Sequence, residues 1–160
     1  MAKAPRVVAV VLRVATAAAA VAAAVVMGTS HETTNVFGLQ IEAKFQHMPS
    51  LVFFVVANAV AGAFSLLALA VPPASPAAKF VLMADVMVAM LLTGAVAAAG
   101  AMSDLGKNGN SHAGWLPICG FVQTFCDYVR GALIAGFIAV ALSFLALMYS
   151  IYTVTSTLLP

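Results

Sequence analysis

Four stretches of this chain run almost without polar interruption, and polar segments separate them. Val7 to Met27 holds one charge, Arg13, and Leu51 to Val71 holds none, with Asn58 and Ser65 as its polar residues. Phe80 to Met102 carries Asp85 and Thr93, and Gly131 to Val154 carries Ser143, Tyr149, Ser150, Tyr152 and Thr153. Each window reaches the roughly 20 apolar residues that cross about 30 Å of hydrocarbon. The pattern predicts an all-α integral membrane protein, a four-helix transmembrane bundle that makes residues 1–160 a single membrane domain. Loops 28–50 and 103–130 and a short link, 72–79, join the spans. None of these connections is long enough to build a core of its own.

The boundaries are punctuated. Pro72, Pro73 and Pro76 lie in the short link, where proline cannot continue a helix. Lys107-Asn108-Gly109-Asn110 reads as a turn, and Gly28 and Gly131 mark two helix ends. Lys3, Arg6 and the run Ala22-Ala23-Ala24 would suit a cleaved leader, but Arg13 interrupts its apolar core, so the first span is read as retained. Lys3, Arg6 and Lys79 favour the N-terminus and the short link in the cytosol. Both termini then face the cytosol, and loops 28–50 and 103–130 face outside.

Composition sharpens the class. The chain is 64% hydrophobic and 8% charged, with a mean hydropathy of +1.09, far from the balance of a water-soluble domain. A net charge of +2 offers no surface for nucleic acid. The lipid bilayer is the first partner implied. His31, His47 and His112 lack metal spacing, and no zinc-protease helix, phosphate loop or nucleophile elbow occurs. No cofactor, metal or catalytic residue is expected.

So few charges make the two inside spans informative. Arg13 lies six residues into span one, about 9 Å deep, and Asp85 five residues into span three, about 7.5 Å deep. In the topology above both depths are measured from the same face, so opposite charges share one level. An ion pair between the two helices spares each an uncompensated charge in lipid. Ala9, Arg13, Ala17, Ala20 and Ala24 share one stripe of helix one, with Val7, Val11, Val14, Val21 and Val25 opposite. Small residues suit close helix packing, so the arginine is expected to face its neighbours. Two other readings stand: Arg13 snorkels to the headgroups, or the pair serves a proton or ion relay. Against a relay, the outer halves of the spans hold nothing ionisable.

The last loop is the richest segment, and Lys107, Asn108, Asn110 and Trp115 are its candidate interaction residues. Its two cysteines, Cys119 and Cys126, sit where thiols can be oxidised. Seven residues of continuous helix would part them by about 10.5 Å, beyond disulfide reach, so a bridge requires a bend at Gly120. The alternative is two free, buried cysteines at the head of helix four. Trp115, Phe121, Phe125 and Tyr128 suit an aromatic belt at headgroup depth.

Asp85-Val86-Met87-Val88, Leu92-Thr93-Gly94-Ala95, Gly106-Lys107-Asn108-Gly109-Asn110, Trp115, Ile118-Cys119, Phe125-Cys126 and Gly131-Ala132-Leu133-Ile134 together resemble the plant Casparian strip membrane domain protein family. So do Leu12-Arg13, Met27-Gly28-Thr29 and Phe53-Phe54-Val55-Val56-Ala57-Asn58-Ala59. The resemblance covers all four spans and both long loops. It implies four spans with cytosolic termini, a distant similarity to MARVEL-type proteins, an arginine–aspartate pair at Arg13 and Asp85, and paired cysteines at Cys119 and Cys126. It also implies a plasma-membrane scaffold that associates with itself and with related family members, and that recruits secreted cell-wall enzymes. The segment from His31 to Leu39 keeps a Glu-Thr start but lacks the aromatic-rich stretch of strip-forming members, so the chain resembles a Casparian-strip-like relative.

Two functional expectations follow. The first is a non-enzymatic, laterally assembling membrane scaffold. The second is an ion or small-solute channel or transporter subunit using the Asp85/Arg13 pair.

Overall fold

The computed structural model describes residues 3–36, 38–72 and 75–158. Pro73 of the link, named above, and Phe37, within the segment from His31 to Leu39, lie outside the described residues. Four long helices, α1 (Lys3–Gly28), α2 (Pro49–Ala68), α3 (Ala77–Asn108) and α4 (Gln123–Leu158), form the body, and all four are long and apolar enough to cross a membrane. They stand in a ring, α1 beside α2 and α4, and α3 beside the same two. Helices α1 and α3 therefore lie diagonally opposite one another. Ala20, Ala61, Leu92 and Ala139, one from each helix, meet in the middle of the bundle. Small side chains at that layer let the helix axes draw close, which membrane packing needs in the absence of a hydrophobic drive between helices.

The valine stripe of α1 faces outward, with Val7 and Val11 each 58% exposed, while Ala17, Ala20 and Ala23 are buried. The exposed apolar side chains of all four helices make a lipid-facing mantle, which explains why so many large hydrophobics lie outside the core.

The helix ends depart from the expected spans in ways the local chemistry explains. Helix α2 starts at Pro49, where proline's missing N–H costs nothing. It stops at Ala68 rather than Val71, because residues 69–71 tighten into i→i−3 bonds ahead of Pro72. Helix α3 begins at Ala77, since Ala77, Ala78 and Lys79 are good helix formers. It runs six residues past Met102 before Gly109, at φ +66°, turns the chain. A Cβ at Gly109 would lie 2.6 Å from the Trp115 carbonyl oxygen, so only glycine fits. Helix α4 begins at Gln123 instead of Gly131, so the outer loop is shorter than 103–130 at both ends. Phe125 and Val129 drive that extension by burying against the bundle.

Gly131 is consequently a mid-helix residue and not a helix end. The glycine that matters for packing is Gly136. A Cβ there would lie 2.8 Å from two ring atoms of Phe54, itself fully buried, and 3.2 Å from Val96. Gly136→Val is expected to destabilise the bundle by about 1–3 kcal/mol through overpacking. A Cβ at Gly131 meets nothing within 4 Å. Gly131→Ala should therefore leave the thermal midpoint of the detergent-solubilised protein close to wild type while Gly136→Val lowers it.

The first loop is not irregular. It folds as an antiparallel hairpin, β1 (His31–Val36) and β2 (Leu39–Lys44), with His31 opposite Lys44 and Val36 opposite Leu39. The all-α class of the four-helix bundle stands, with this short hairpin added in the loop between α1 and α2. Alternation through Leu39-Gln40-Ile41-Glu42, after Gly38 at φ +82°, was the available signal.

Candidate functional site: the diagonal ion pair and the outer cap

At the end of the bundle carrying the termini and the link, Arg13 spans the diagonal. Its Nη1 donates to Asp85 Oδ1 at 3.0 Å and its Nη2 to Oδ2 at 2.6 Å, a two-pronged fork. The side chains are 10% and 9% exposed. Nη2 also lies 3.5 Å from the Ser150 hydroxyl of α4. Arginine suits this position because its planar fork matches a carboxylate at two points and its stem crosses between helices that do not pack directly. Thr16, one turn along α1, is buried and donates to its own helix at Leu12 O, so it does not compete. One α1–α3 link is thereby made by charge where the side-chain packing runs through α2 and α4. Ser150 gave no signal in the sequence, being one of several small polar residues in the last span.

At the opposite end Cys119 and Cys126 are disulfide-bonded, with Cα atoms 5.7 Å apart. The bend that allows this falls at residues 119–121, immediately before α4. The backbone N–H groups of Ile118 and Cys119 both donate to Gly106 O, clamping the descending limb of the loop to α3. Asn110 and Trp115 exchange backbone bonds of 2.8 and 2.9 Å.

The four candidate interaction residues divide by what their side chains do. Asn108 donates to Asp104 Oδ1 at 2.7 Å, and Asn110 Oδ1 accepts from the His112 and Ala113 N–H groups, so both are engaged locally. Lys107 and Trp115 point outward. Of the four aromatics expected in an interfacial belt, Trp115, Phe121 and Tyr128 are about half exposed. Phe125 is 2% exposed and belongs to the core, because the helix begins early enough to turn it inward.

Glu32 is the residue that sequence reasoning passed over. Its Oε2 accepts from the Phe125 N–H at 2.8 Å, so a carboxylate from the hairpin caps the first turn of α4 one residue from Cys126. The free N–H groups and positive dipole of a helix start favour an anion there. Hairpin and disulfide loop thus form one outer cap. Glu32→Ala is expected to weaken that junction by about 1–2 kcal/mol. Amide exchange over Phe125 to Asp127 should speed up while exchange at mid-bundle stays unchanged. Equal protection in both regions would count against the cap.

On β2, Lys44 Nζ lies 2.6 Å from Glu42 Oε1, and its hydrogen bond holds the Glu42 carboxyl below its ordinary range. A lowered carboxyl favours the fold above its unfolded value and loses that contribution as pH falls through the lowered one. The pair is exposed, so the contribution is minor. Among the described residues, no three His, Cys, Asp or Glu side chains gather as a metal site would require.

With the geometry in view, comparison with known proteins is informative. The family model of the Casparian strip membrane protein domain matches residues 2–142. CASP-like protein 1C1 of Sorghum bicolor is 60% identical over 158 residues, covering 99% of this chain and 98% of its own. CASP-like protein 1C1 of Oryza sativa subsp. japonica is 58% identical, covering 95% of each chain. CASP-like protein 1C1 of Arabidopsis thaliana is 47% identical, covering 93% of this chain and 91% of its own. No solved structure matches.

Proposed function

We propose, from the premise that this chain belongs to the Casparian strip membrane protein domain family, that it is a non-enzymatic scaffold of the plasma membrane. It associates laterally with its own copies and with related chains. Its termini face the cytosol, and its outer cap is presented to secreted cell-wall partners.

The observation that carries this reading is the Arg13–Asp85 fork. Each charged group spends its strongest contacts on the other, across the bundle diagonal and nearly out of contact with the surroundings. A charge held in that way braces helices, whereas a transport site presents its charge to a cargo. The exposed apolar mantle supplies the lateral surface for assembly. Orientation follows from Arg6 and Lys79, both exposed at the end where the termini and the link lie, opposite the hairpin and the disulfide.

The test is made in intact membranes. Cross-linking should capture this chain in multiples and with related family members, and photobleached patches of the tagged protein should refill slowly. Rapid recovery together with monomers in mild detergent would overturn the scaffold reading.

A further inference from the structure

Four sulfur-bearing residues surround one small cavity at the disulfide end of the bundle. Its volume is about 20 Å³, room for a single atom-sized guest. Cys119 lines it from the loop, Cys126 from the first turn of α4, Met102 from α3, and Met48 from the position just before α2. No charged residue and no histidine lines it, and Ser103 supplies its one side-chain oxygen. Gly106 completes the wall beside Cys119. A Cβ there would stand 3.6 Å from the Cys119 Sγ, so the glycine keeps that side of the cavity open.

We propose that this cage, once its disulfide is reduced, binds one copper(I) ion, and that the disulfide closes the site. The structure shows the closed form, with Cys119 and Cys126 bonded to each other and their Cα atoms 5.7 Å apart. Opening takes two electrons and two protons from a small thiol, which leaves as its own disulfide while the chain gains two thiols. Both thiols release their protons to solvent as the sulfurs bind the ion, because the thiolate is the metal ligand. Reduction parts the two sulfurs without dispersing them. The Ile118 and Cys119 N–H groups still donate to Gly106 O, and Glu32 still accepts from the Phe125 N–H. The choice of metal follows from the donors. Thiolate and thioether are soft ligands that suit copper(I), whereas calcium and magnesium require oxygens this cage lacks. Zinc shares the taste for thiolate but completes its sites with more thiolate, imidazole or carboxylate, none of which lines the cavity. Cys126 lies in the first turn of α4, where the positive end of the helix favours a thiolate. The three rotatable bonds of methionine let the Met48 and Met102 thioethers turn onto the ion. The site needs only this cavity and stands whether or not the chain is a scaffold.

The full chain in nanodiscs is reduced with a phosphine, freed of it under argon, and titrated with copper(I) against a coloured copper(I) chelator. The reduced protein should withdraw one ion per chain, and the oxidised protein should leave the copper with the chelator. The oxidised chain keeps every methionine, so binding by thioethers elsewhere would show there. M48L/M102L conserves core volume and should fold, yet weaken binding by roughly 10–100-fold. X-ray absorption at the copper edge should show at least one sulfur beyond the two thiolates, and no nitrogen. Copper left wholly with the chelator would overturn the proposal, as would equal binding by the oxidised and reduced proteins. Displacement of the ion by equimolar zinc(II) would overturn the choice of metal. Unchanged affinity in M48L/M102L would reduce the methionines to packing and end the four-sulfur cage. Should that variant not fold, the wild-type spectrum decides, since two sulfurs alone would end it equally.

Discussion

Replacing Arg13 with glutamine is expected to be the most damaging single change in this protein, costing about 3–5 kcal/mol of bundle stability. The fork from Arg13 Nη1 and Nη2 to both Asp85 oxygens is the polar tie between diagonally placed helices. Removing the arginine leaves a carboxylate about 7.5 Å inside the expected hydrocarbon edge on one short methylene, unable to reach the headgroups. Asp85→Asn orphans Arg13 instead, and a long arginine can snorkel over its roughly 9 Å to the same surface. The two single changes should therefore differ, R13Q lowering folded yield and thermal midpoint more than D85N. The double change R13Q/D85N removes both charges and should recover much of the loss. Two single variants that behave like wild type would show that the pair contributes nothing.

The second large effect is expected at the outer cap. Converting Cys119 and Cys126 together to serine opens the link between the bend at residues 119–121 and the first turn of α4. For so short a loop the chain-entropy argument gives about 2–3 kcal/mol. The loss should be concentrated in the cap, because Glu32 and the Gly106 carbonyl still hold its two sides. Limited proteolysis should therefore cut the double variant between Lys107 and Arg130 while the four spans stay protected. Cleavage spread evenly across the chain would mean that the disulfide steadies the whole bundle. Resistance equal to wild type would mean that it steadies nothing.

What could be read from the sequence follows from which interactions leave a periodic or compositional trace. Long apolar runs register four helices directly, because a bilayer demands a length. Counting residues from the ends of those runs was enough to place Arg13 and Asp85 at one level. It could not show that they face each other across the diagonal, which depends on the order of the helices in the ring. Helix ends were misplaced wherever the chain continued helically beyond the lipid. Gln123 to Arg130 reads as polar loop, yet Phe125 and Val129 in it find a buried face. The hairpin was missed because its alternation is short and lies in loop 28–50, outside the long apolar runs that mark the helices. Glu32 and Ser150 were missed for a more basic reason. Their importance comes from partners 93 and 137 positions away, and nothing local marks them.

The account stands most directly on the claim that the intramembrane pair braces the bundle. The measurement that addresses it is charge exchange, R13D/D85R, compared with each single neutralisation for folded yield and for conductance in planar bilayers. The account predicts that exchange restores folding and assembly toward wild type, and that no variant alters membrane conductance. A conductance that vanishes with D85N, while the variant folds and assembles normally, would contradict it.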